Sequence, residues 1–115
     1  MSDFAIERAE QGDVDVLRLA GQLDAHSFPQ LQEALEGLGV SNRARVVLDC
    51  ESLEYISSAG LGVLKKMSRE FREKEGDIRL ASLTPKIKNV VDLLGFSQVI
   101  RVFPGSEEAV RSFTE

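Results

Sequence analysis

The run Val46-Val47-Leu48 constrains this chain most. Three consecutive apolar, mostly β-branched residues do not alternate in and out, so they suit a strand covered on both faces. The strand is read over Arg45–Cys50, ending in a short connection, and amphipathic helical patterns flank it. On the N-terminal side Ser27, with Gln30 three residues on and Pro29 in the first turn, signals a capped helix. That helix would bury Phe28, Leu31, Leu35 and Leu38 and stop at Gly37 to Gly39. On the C-terminal side a helix from about Ser58 to Glu75 places Leu61, Leu64, Met67 and Phe71 on one stripe. Gly76 supplies its stop, and Glu70 and Lys74 stand one turn apart.

The remaining segments extend the pattern. Phe4, Ile6 and Arg8 alternate with Ala5 and Glu7, and Gly12-Asp13 turns that strand into a second over Val14–Ala20. Ile78 and Leu80 mark a fourth strand. Thr84-Pro85 opens a helix burying Ile87, Val90, Val91 and Leu94 and ending at Gly95. Val99–Phe103 reads as the last strand. Ser106, followed by Glu107 and Glu108, opens a closing helix through Val110 and Phe113. After the first hairpin, strands alternate with helices, which predicts an α/β fold with a mixed sheet of about five strands and about four helices, packed mainly on one face. At 115 residues the chain is one domain's worth.

The totals narrow the function. A net charge of −5 argues against a binder of phosphate backbones. One cysteine, Cys50, excludes an internal disulfide and suits a reducing compartment; following the central apolar run, it reads as a small buried hydrophobe. Met1-Ser2-Asp3-Phe4 shows no signal-peptide pattern, and no apolar run reaches the roughly 18 residues a membrane span needs. The expectation is a cytoplasmic protein without membrane or nucleic-acid partners. One Cys and one His make no metal-ligand cluster, and no cofactor motif is present. Gly60-Leu61-Gly62 is neither a dinucleotide fingerprint, since Lys65 replaces the third glycine, nor a P-loop.

The chemistry concentrates in Ile56-Ser57-Ser58-Ala59-Gly60-Leu61-Gly62. Two serines and small residues open a helix, so free N–H groups and the positive dipole end gather beside two hydroxyls. A phosphate there adds about two negative charges. By spacing alone, Ser57 or Ser58 is a helix cap. Gly60 and Gly62 serve close packing or a side-chain-free surface for a partner. Asp24 reads as a turn or helix-entry acid, and His26 as a surface loop residue. A Ser58-His26-Asp24 hydrolase triad lacks the nucleophile-elbow glycine, because Ile56 stands in its place. Lys65, Lys66, Arg69 and Arg72 read by default as a solvated helix face, with a docking role as the alternative because the helix begins at this loop.

The segment resembles the signature loop of the anti-sigma factor antagonists, small bacterial proteins of the STAS fold. Ile56, Ser58, Gly60, Leu61 and Gly62 match that signature in register. Gly21-Gln22-Leu23-Asp24 resembles a second signature, and Thr84-Pro85 to Leu94-Gly95-Phe96 a third. The chain departs at two positions: Ser57 stands where an acid is usual, and Ala59 where a hydroxyl residue is usual. The resemblance implies a single STAS domain over 1–115 that is not itself an enzyme. It implies that the unphosphorylated form binds a serine-kinase anti-sigma factor and frees its sigma factor. ATP-dependent phosphorylation of Ser58 ends that binding, and a metal-dependent serine phosphatase reverses it. The implied partner surface is Asp24, Ser57, Ser58, Ala59, Gly60, Leu61 and Gly62. The alternative implied by the same fold is a non-phosphorylated subunit docking on a transporter ATPase.

Overall fold

The computed structural model describes residues 3–114; Met1 and Ser2 of the N-terminal stretch read above, and Glu115, lie outside the described residues. Strands β1 (Phe4–Gln11) and β2 (Val14–Leu23) form the expected hairpin, followed by α1 (Phe28–Val40), β3 (Arg45–Ile56), α2 (Ser58–Glu73) and β4 (Asp77–Ala81). Then come α3 (Pro85–Leu93), a 3-10 turn at Phe96–Gln98, β5 (Val102–Phe103) and α4 (Ser106–Arg111). The five strands lie in the order β1-β2-β3-β4-β5. Only β1 and β2 pair antiparallel; the other three pairs are parallel. A two-residue turn closes the hairpin, whereas each parallel pair is bridged by a helix or helical turn, as parallel geometry requires.

The two faces of the sheet carry unequal loads. Val46 and Leu48 of β3 and Ile78 and Leu80 of β4 join Leu31 and Leu35 of α1, Leu64 and Phe71 of α2, and Ile87 and Val91 of α3 in the main core. The other face carries a smaller cluster, Val14, Val16, Val47 and Ala81 with Ala109 of α4, and Phe103, Val110 and Phe113 pack against it. Three helices therefore cover one face and one short helix the other. That double cover is why Val46, Val47 and Leu48 are all apolar and fully buried. Burial pushes the Cys50 thiol up to about 12, with Asp49 adding to the shift.

The structure corrects several local expectations. Strand β3 does not stop at Cys50 but runs on to Ile56. Its register against β2 slips twice, between Arg18/Ala20 and between Gly21/Gln22, and each slip inserts one extra residue into β3. Core positions along β3 are therefore Val46, Leu48, Cys50, Leu53 and Ile56, so the spacing changes from two to three. A strict period of two cannot follow a twice-bulged strand. Ser27 is not a capping box: its hydroxyl donates to the Gln22 carbonyl at 2.6 Å and accepts from the Asp24 N–H. α1 runs through Gly37 and Gly39 to Val40. The Lys74 amine reaches the Gly39 carbonyl and forms no ion pair with Glu70 among the described residues.

The helix α2 stops with Glu75 in the left-handed region at φ 62°. Gly76 has another reason to be glycine, since a β-carbon there would stand 1.9 Å from the Ala44 carbonyl oxygen. Leu94 is exposed, because α3 ends at Leu93 and the chain turns through Gly95 at φ 66°. Most of the expected Val99–Phe103 strand is turn, leaving Val102–Phe103. The cap of α4 is Gly105.

Candidate functional site

Three segments converge where β2 and β3 end. Leu23 pairs with Ile56, and the Ser57 N–H donates to the Leu23 carbonyl at 3.0 Å. Asp24 and Ser57 therefore leave the sheet side by side. Past Ser57 the chain enters α2, and past Asp24 it turns into α1. The two bulges of β3 matter here: they carry the strand far enough to set the start of α2 beside the β2–α1 turn.

The two serines have different jobs. Ser57 is half-buried with extended backbone, and its hydroxyl accepts the Gly60 N–H at 3.0 Å while its carbonyl accepts the Leu61 N–H. It is the helix cap. Ser58 is the first residue of α2, with its side chain exposed. Replacing Ser57 by Ala leaves the Gly60 donor without its side-chain partner and is expected to cost about 1 kcal/mol in urea unfolding.

The glycines divide as well. A β-carbon on Gly60 would lie 3.1 Å from the Phe28 ring and 3.3 Å from the Ser57 hydroxyl, so this glycine lets α1 and the cap close over the loop. A β-carbon on Gly62 would meet nothing within 4 Å, so that position is open surface. Leu61 is buried in the main core and anchors the loop from beneath. Of the expected partner surface, Ser58, Ala59 and Gly62 thus present outward, while Gly60 and Leu61 hold them in place.

Asp24 orders the neighbouring turn. Its Oδ1 accepts the N–H groups of His26 and Ser27, both at 3.0 Å, and the Ser27 hydroxyl. The Ser27 N–H is the main cause that holds this carboxyl below its ordinary value. His26 is exposed, as expected of a loop residue. Beside the loop lies an open groove of about 240 Å³ between Phe28, Pro29 and Gln32 of α1 and Ala59, Gly60 and Val63 of α2. Sequence reasoning missed this groove because the Phe28–Gly60 contact spans two crossovers and leaves no local pattern. It also placed Tyr55 in a connection, whereas Tyr55 is the penultimate residue of β3, with 44% of its surface exposed. No helix among the described residues is long and apolar enough to cross a membrane.

Comparison with known proteins agrees with this geometry. The STAS domain family model matches residues 5–109. The chain is 33% identical over 95 residues to the candidate anti-sigma factor antagonist BtrV of Bordetella bronchiseptica, covering 83% of this chain and 82% of BtrV. An anti-sigma factor antagonist from Mycobacterium paratuberculosis superposes with a TM-score of 0.87 at 18% identity, over 97% of this chain and 95% of that one. The Bacillus cell fate determinant SpoIIAA in its phosphorylated form superposes with a TM-score of 0.70 at 23% identity, over 95% and 97% of the two chains.

Proposed function

The chain belongs to the STAS domain family, and from that premise we propose that it is an anti-sigma factor antagonist switched by phosphorylation of Ser58. In this reading, residues 1–115 form one regulatory binding domain working in the cytoplasm. The unphosphorylated form binds a serine-kinase anti-sigma factor, which lets go of its sigma factor. The kinase then transfers the γ-phosphoryl group of ATP to the Ser58 hydroxyl. The Oγ–P bond forms, the hydroxyl proton leaves and ADP departs. A metal-dependent serine phosphatase hydrolyses the ester and restores the binding form.

One observation carries the assignment to Ser58. Its hydroxyl is exposed at the first residue of α2, whereas the Ser57 hydroxyl is half-buried and committed to the Gly60 N–H. A kinase must reach the oxygen it modifies, and only Ser58 meets that condition without uncapping the helix. The open position at Gly62 and the small Ala59 side chain leave room around it. The phosphorylated state of SpoIIAA, a protein of the same fold, supports the same direction. Before modification the loop Ser57–Gly62 is built of small residues and Leu61 and carries no charge. Afterwards it carries a dianion that is costly to bury unpaired against a partner.

Incubation with serine-kinase anti-sigma factors and ATP, followed by fragmentation mass spectrometry, tests the acceptor. A single phosphate on Ser58, absent in Ser58→Ala, is the expected result. A phosphate on Ser57, with Ser58→Ala still fully modified, overturns it.

A further inference from the structure

From Ser58 to Arg69, helix α2 carries three cations, Lys65, Lys66 and Arg69, and no acidic side chain, in a chain of net charge −5. Gly62 lies four residues from Ser58, Lys65 and Lys66 lie three and four from Gly62, and Arg69 lies four and three from them, so the five share one helix face. All five are exposed. At 1.5 Å per residue the strip extends roughly 16 Å from the switch serine. The opposite face, Leu61, Leu64, Met67 and Phe71, is core, so the strip is held on a rigid base. Glu70 and Glu73 come only at the far end of the helix.

The three cations also differ from their neighbours in what they touch. Arg72, next along α2, is bonded to Asp77, which also holds Arg79. Arg8 and Arg43 are bonded to Asp15, and Lys88 to Asp92. Lys65, Lys66 and Arg69 form no ion pair among the described residues, although Glu70 and Glu73 stand one turn from Lys66 and Arg69.

We infer that this strip is the electrostatic half of the docking surface and that the kinase anti-sigma factor meets it with an acidic surface. The inference rests on the partner-switching reading above and adds the charge of the partner's face. The strip is continuous with Ser58 through Gly62, so a protein seated on the switch loop covers the first turns of α2 as well. Its sign is opposite to the chain's net charge, which makes it an orienting feature: an acidic partner is drawn to this face and repelled by the rest. It also strengthens the switch, because a phosphate on Ser58 would confront the acidic surface that the strip attracts.

The test is association kinetics between the full chain and the kinase that modifies it, measured from about 50 mM to about 500 mM salt. Lys65→Glu/Lys66→Glu/Arg69→Glu is expected to slow association about 10–100-fold at low salt, with dissociation changed less than about threefold. The neutral variant Lys65→Gln/Lys66→Gln/Arg69→Gln should fall between it and wild type and flatten the salt dependence. Thermal melting of both variants checks that the fold is kept. Association by both variants within about twofold of wild type, at every salt concentration, overturns the strip and leaves the switch intact. Failure of the wild-type chain to bind any such kinase removes the switch reading and the strip with it. A shift of duplex DNA at about 150 mM salt by wild type but not by the triple variants would make the strip a nucleic-acid contact and overturn the inference.

Discussion

Ser58→Asp is expected to weaken binding to the kinase anti-sigma factor by roughly 30-fold or more, about 2 kcal/mol, while Ser58→Ala binds like wild type and accepts no phosphate. The size follows from where the charge is placed. Ser58 is exposed in the free protein, and a carboxylate at the first residue of α2 sits at the positive end of the helix dipole. That position favours an anion by about 0.3–1 kcal/mol, so the variant folds at least as well as wild type. In the complex the same carboxylate loses water without gaining a partner, which is costly. Binding and stability therefore move in opposite directions. Calorimetric titration against the kinase, paired with thermal melts, reads both. Undiminished binding by Ser58→Asp means that charge exclusion is not the switch.

Gly21→Ala is expected to cost about 3 kcal/mol of folding stability and to lower the melting temperature by about 10 °C or more. Gly21 belongs to the Gly-Gln-Leu-Asp element that resembles a family signature, and the structure gives it a purely conformational task. Its φ is +94°, and a β-carbon there would stand 1.6 Å from the Asp3 carbonyl oxygen. That oxygen already accepts the Gln22 N–H at 3.0 Å. Gly21 also sits at one of the two register slips between β2 and β3. An alanine must therefore shift the edge strand or abandon the bulge that positions Ser57 and Asp24. Equilibrium denaturation measures the loss; a change under about 1 kcal/mol contradicts this account of the glycine.

How much was legible in advance depended on whether the governing contact was local. The central strand, the stripe Leu61-Leu64-Met67-Phe71 and the helix entry at Ser57-Ser58 are local patterns, and the structure bears them out. The length of β3 was not legible, because its inward residues shift from a spacing of two to three at the bulges. Ser27 misled for a related reason: it has capping chemistry, but Asp24 takes its backbone N–H and Gln22 its hydroxyl. The sorting of Gly60 into packing and Gly62 into open surface required Phe28, a residue brought over from another helix. The family resemblance supplied the proposed role of Ser58, and geometry shows Ser57, its neighbour by spacing, occupied as the cap.

The switch is tested most directly by sigma-factor release. Unmodified chain, and chain stoichiometrically phosphorylated at Ser58, are each added to a preformed complex of the kinase anti-sigma factor and its sigma factor, and free sigma factor is measured. The unmodified chain should release sigma factor in proportion to the amount added, and the phosphorylated chain should release almost none. Equal release by the two forms, or no release by the unmodified one, would contradict the account.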